Sequence, residues 1–145
     1  MPTVAEWLEA HAASSLARQR ATVDTARLLV TFATGLAATV VATNLQVQPN
    51  SGRADRWSCY LLGVAAVLAL IVFTIDRIRE PNVERVLRDA AAGSWAQDQI
   101  LQELRTELIA APDGNNGFVQ AIKMISILQT LVALISGAIA VVALL

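Results

Sequence analysis

Hydrophobic and polar positions along the chain alternate in long blocks, with three apolar stretches separated by polar ones. Residues 28–47, 57–75 and 124–145 carry no formal charge. At about 1.5 Å rise per residue, about twenty helical residues cover the ~30 Å hydrocarbon core of a bilayer, so each block predicts a transmembrane helix. Between the first two, residues 48–56 hold Pro49, Asn50, Ser51 and Gly52 followed by Arg53, Asp55 and Arg56. Turn formers and charges in so short a run predict an external loop, making the first two spans an antiparallel hairpin. Trp57 and Tyr60 open the second block, where amphipathic rings favour the headgroup layer.

The polar stretches also read as helical. In residues 1–27, Thr3 and Glu6 have the spacing of a capping box, with Pro2 just ahead. Val4, Trp7, Leu8, Ala12, Leu16 and Val23 recur at roughly helical spacing, which predicts a weakly amphipathic helix running into the first span as one helix of more than forty residues. It is either a surface-lying or gating helix or one that packs on the other cytosolic helices. No signal-peptide pattern is present, so the N-terminus is expected to be retained. In residues 76–123, Pro81 predicts a break near Glu80. Residues 82–111 are periodic again, with Val83, Leu87, Ala90, Leu101, Leu104 and Leu108 on one side. Gly93 suits a left-handed cap and Ser94 with Gln97 a new capping box, which favours two shorter helices over one kinked helix. Pro112, Asp113, Gly114, Asn115, Asn116 and Gly117 predict a loop. Its glycines lack the P-loop pattern and a preceding strand, which argues against a phosphate cradle. Residues 118–123 then lead into the third span.

Composition turns these blocks into a fold class. A 145-residue chain that is 55% hydrophobic and 16% charged, with three separated apolar blocks, is expected to be an all-α integral membrane bundle of three transmembrane helices plus cytosolic amphipathic helices. The expected organisation is a cytosolic N-terminal helix (1–27), span one (28–47), an external loop (48–56), span two (57–75), a cytosolic helical segment (76–123) and span three (124–145). Arg18, Arg20, Arg27, Arg77, Arg79, Arg85, Arg88, Arg105 and Lys123 fall on one side of such a bundle, and only Arg53 and Arg56 on the other. The positive-inside rule then places the N-terminus and residues 76–123 in the cytoplasm of a cell's inner membrane and the C-terminus outside.

Charge and chemistry narrow the function classes. A formal net charge of −1 and no basic patch with interleaved aromatics exclude a nucleic-acid polymer as partner. His11 is the only histidine, and no HExxH, CxxC or nucleophile–base spacing occurs, so no catalytic residue, metal site or cofactor is expected and the chain reads as a non-enzyme. Cys59 stands alone and reads as a small packing residue. The spans lack the ionisable groups of proton relays.

Polar and small residues within the spans are the candidate site. Thr31, Thr34, Gly35, Thr39, Thr43 and Asn44 make a small-and-polar stripe on span one, and Gln129, Thr130, Ala133, Ser136, Gly137 and Ala140 a second on span three. Thr31, Gly35, Thr39, Thr43, Gln129 and Gly137 are singled out as lining a lumen between assembled copies or as packing helix on helix. The threonine hydroxyls have a third option, the carbonyl of the preceding turn. Gln129 is costly against lipid and should face a helix or a wet cavity.

A capped N-terminal helix, a two-span hairpin preceded by Thr22, Val23, Asp24, Thr25, Ala26 and Arg27, a charged cytosolic segment and a last span led by Lys123 together resemble the small membrane effectors of bacterial nucleotide-signalled antiphage systems. The nearest are the Pycsar transmembrane effectors, with the two-span SLATT effectors as cousins. Those Pycsar proteins tend to carry alanine, aspartate, any residue, lysine and alanine before the first span. Here Asp24 keeps the aspartate and Arg27 displaces the basic residue by one place. The resemblance implies a homo-oligomer in the lipid bilayer, a cyclic nucleotide ligand on the cytosolic helices and membrane disruption as the antiviral act. The alternative is a structural or adaptor membrane protein whose cytosolic helices dock a partner.

Overall fold

A computed structural model describes residues 3–47 and 52–144. They form four helices, α1 (Val4–Val47), α2 (Arg53–Thr74), α3 (Val83–Gly93) and α4 (Gln97–Leu144), and no strand among the described residues. α1, α2 and α4 are each long and apolar enough to cross a bilayer, so the all-helical reading with three candidate spans stands.

Local chemistry sets most helix ends. The amide of Thr3 donates to Glu6 Oε2 at 2.7 Å and that of Glu6 to Thr3 Oγ1 at 3.3 Å, the expected capping box. No proline lies within α1, which runs 44 residues without a break. The predicted turn at residues 48–51 lies outside the described residues. Arg53 and Arg56, expected in the loop, instead form the first turns of α2.

α2 stops at Thr74, ahead of the break expected at Glu80, and residues 75–82 are not helical. At α3, Asn82 Oδ1 accepts from the amide of Arg85 at 2.9 Å, which satisfies one of the four amides a helix start leaves open. The two-helix reading holds, but the boundary residues differ from expectation. Ser94, at φ 52° and ψ 46°, takes the left-handed cap expected of Gly93. Gly93 has a steric role instead, because a Cβ there would overlap the Trp95 indole. The start of α4 is held by the Ala96 amide on Gln99 Oε1 at 3.2 Å rather than by Ser94 with Gln97.

The loop predicted at residues 112–117 is a correction: Pro112 lies inside α4, which continues through Gly114 and Gly117. A proline and two glycines disfavour helix locally. Tertiary hydrogen bonds to this segment compensate, since Gln19 Nε2 donates to the Pro112 carbonyl at 2.8 Å and to Asn116 Oδ1 at 3.1 Å.

The chain divides into two compact units, Met1–Thr22 with Arg77–Gln120, and Val23–Asp76 with Ala121–Leu145. The first is polar, with a small buried set that includes Ala12, Val86, Ala90, Leu108 and Ala111. The second is apolar outside and small or polar inside. Its buried positions are Val23, Ala26, Val30, Ala33, Ala37, Val41 and Asn44 on α1, Ser58, Ala65 and Val72 on α2, and Ile122, Ser126, Gln129, Ala133, Ser136 and Ala140 on α4. Steps of three and four along α1 and α4, and of seven along α2, give the 3.5-residue repeat of left-handed helix packing. At its centre Ala33, Ala37, Ala65 and Ala133 meet, with Leu62 and Val132 against them. The large aliphatic and aromatic side chains, Leu28, Phe32, Leu70, Phe73, Leu128 and Leu134 among them, point outward.

Candidate functional site

Two polar nodes lie inside the apolar unit. Gln129, fully buried, donates from Nε2 to Thr34 Oγ1 at 2.7 Å, and Thr34 donates in turn to the Val30 carbonyl at 2.8 Å. Thr130 Oγ1 sits 2.8 Å from the Ser126 carbonyl and 3.4 Å from Gln129 Oε1. Two helical turns further along α4, α2 and α4 exchange a reciprocal pair: Ser58 Oγ donates to the Ser136 carbonyl at 3.0 Å, and Ser136 Oγ donates to the Ser58 carbonyl at 2.8 Å. Serine is small enough to let the two backbones approach and polar enough to join them. Gly137 serves α1 and α4 similarly, since a Cβ there would lie 3.9 Å from Ala37 Cα.

The six singled-out residues therefore occupy two surfaces. Gln129 is in the interior, and Gly137 is half-buried. Thr31, Gly35, Thr39 and Thr43 lie four apart on the exposed side of α1. The hydroxyls of Thr31, Thr39 and Thr43 each donate to the carbonyl four residues back, at 2.9 Å, and nothing lies within 4 Å of a Cβ built on Gly35. Thr34, on the neighbouring side of the helix, is the member of the stripe that meets Gln129. Cys59, expected to pack, is exposed.

The polar unit contains two further nodes that the sequence reading passed over. Asn115, 2% exposed, pairs with both backbone groups of Arg79: it accepts from the amide at 2.8 Å and donates to the carbonyl at 2.9 Å. Its Nδ2 also reaches Gln19 Oε1 at 3.2 Å. Glu107 accepts from the Asn82 amide at 3.3 Å and contacts Arg79 and Arg85. Arg20 pairs with Glu80. These contacts tie residues 79–85 to α4 and account for the non-helical path after α2. The signal that would have found Asn115 is its phase, since Leu108, Asn115, Ile122, Gln129 and Ser136 are spaced by sevens and all buried.

Trp7 stacks on His11 at 5.3 Å between ring centres. A cavity of about 100 Å³ between Leu8, His11, Ala12, Leu108 and Pro112 is well below the ~300 Å³ at which small-molecule pockets begin. No group of three metal-ligating side chains exists among the described residues. Comparison of the chain with protein-family models, curated proteins and solved structures finds no match.

Proposed function

We propose that this chain is an integral membrane protein whose three long apolar helices span a cell membrane, with the N-terminus and residues 76–123 cytoplasmic and the C-terminus outside. Assembled copies perturb the bilayer by opening a leak, as the resemblance to nucleotide-signalled antiphage effectors implies, with a cyclic nucleotide as trigger. The observation that carries the assembly is the division of polar residues between two surfaces. Gln129 bonds Thr34 of α1, Ser58 of α2 and Ser136 of α4 bond each other's helix, and all of them fill the interior of a single copy, so a conducting path has to run between copies. Thr31, Gly35, Thr39 and Thr43 supply a polar surface for it on the outside of α1. The hydroxyl protons of Thr31, Thr39 and Thr43 are committed to the helix, which lowers the cost of the stripe in lipid, while their oxygens remain able to accept from water.

The test is dye release from vesicles carrying the purified chain, with subunit number measured in the same bilayer and a panel of cyclic nucleotides added. Release by assemblies of four or more copies, cut about tenfold or more by Thr39→Leu, is expected. A protein that stays monomeric and releases no dye under every condition overturns the leak and leaves the adaptor reading.

A further inference from the structure

Arg79 and Arg85 reach one carboxylate at its two oxygens. Arg79 Nη2 lies 3.4 Å from Glu107 Oε1, and Arg85 Nη2 lies 3.5 Å from Glu107 Oε2. Two cations on one anion leave one positive charge uncompensated. Two of the neighbouring carboxylates are themselves paired, Glu80 with Arg20 and Glu84 with Arg88. Both contacts to Glu107 are longer than the ~2.7–2.9 Å of a tight charge-assisted hydrogen bond, so each guanidinium keeps most of its donors. Exposure divides the group in the same sense: the arginine side chains are 62% and 57% exposed and the carboxylate 11%. The Asn82 amide holds Glu107 from the backbone side.

We propose that Arg79 and Arg85 form a seat for a phosphate anion, with Glu107 as the fixed group that spaces the two guanidinium forks. A fork that spans the oxygens of a carboxylate also spans those of a phosphate, and planar bidentate recognition is what distinguishes arginine from lysine in this role. Two sources carry this chemistry, the headgroup of an anionic phospholipid and a soluble phosphate. Arg79 is five residues past the end of α2, a reach of at most about 17 Å along extended chain, so a headgroup at the end of a spanning α2 is within range. The lipid source rests on the membrane reading; the anion chemistry does not.

The full chain in neutral detergent is offered phosphatidylglycerol or phosphatidylcholine and the retained lipid is counted by native mass spectrometry, while inorganic phosphate is titrated separately by calorimetry. Preferential retention of phosphatidylglycerol is expected, falling about fivefold for each of Arg79→Gln and Arg85→Gln. Glu107→Gln, which removes the competing anion, strengthens retention. Arg79→Lys with Arg85→Lys keeps the charge in a minimally altered fold and is expected to bind more weakly than the parent because the forks are lost. Phosphate binding that disappears in the same glutamine variants, without lipid preference, assigns the seat to a soluble anion. Parent-like retention in the double glutamine variant, or no anion binding in either arm, overturns the seat. Flotation with phosphatidylcholine vesicles, scored alongside, reports membrane insertion separately.

Discussion

The reciprocal pair at Ser58 and Ser136 shows how much a single methylene and hydroxyl decide in this bundle. Each side chain satisfies the other helix's carbonyl in a fully buried position. Interhelical hydrogen bonds in lipid contribute about 0.6 kcal/mol on average and up to ~1.7. Ser136→Ala is therefore expected to cost about 1 kcal/mol in denaturant unfolding from mixed micelles, and adding Ser58→Ala should cost less than two independent losses. Ser136→Leu, which forces the backbones apart, should cost more than either. Gln129→Ala follows the same logic and leaves Thr34 bonded to Val30. At the residue scale the sequence marked Gln129 and the small residues as interior candidates, but residue type alone did not separate Thr34, which meets Gln129, from Thr31 and Thr39, which do not.

Among the helices, ends that depend on neighbouring residues were readable and those that depend on distant partners were not. The Thr3–Glu6 box and the stop near Gly93 follow from local chemistry. The left-handed residue is Ser94, where a Cβ costs about 1–2 kcal/mol relative to glycine. Ser94→Gly is thus expected to stabilise the chain by about 1 kcal/mol, seen as slower amide exchange through the last turn of α3. The helical passage through Pro112 has the opposite origin. Pro112→Ala is expected to stabilise α4 by about 1–3 kcal/mol, the proline penalty less the buried contacts of the ring. Asn115→Ala, which strands both backbone groups of Arg79, should destabilise by about 2–3 kcal/mol. Opposite signs at two positions of one segment, read in a single thermal-unfolding series, check that tertiary bonds rather than local preference hold it helical.

For the molecule as a whole, the testable quantity is sidedness. In a Cys59→Ser background, Gly52→Cys is expected to react with a membrane-impermeant maleimide in intact cells, and Asp98→Cys only after the membrane is opened. The reverse pattern would invert the orientation drawn from Arg and Lys placement. The outward distribution of Leu28, Phe32, Phe73 and Leu134 around an interior of alanine, serine and glutamine is the inverse of a water-soluble core and matches what lipid requires, since tails solvate large side chains and leave packing of small ones to join helices.

By itself the sequence determined that the chain is helical and that three of its stretches suit a bilayer, because charge-free length and helical capping are properties of contiguous residues. It also determined the division at Gly93 and Ser94. Which face of each span turns inward was decided only by the tertiary structure: Thr31, Thr34, Thr39 and Thr43 are chemically alike, and only the approach of α4 selects Thr34. The same holds for residues 112–117, whose composition favours a loop until Gln19 and Asn115 supply hydrogen bonds across more than ninety and thirty-six positions of the chain. Contacts that distant in sequence leave no turn or cap pattern to read; the seven-residue phase that Asn115 shares with Leu108, Ile122 and Gln129 marks its burial but not its partners.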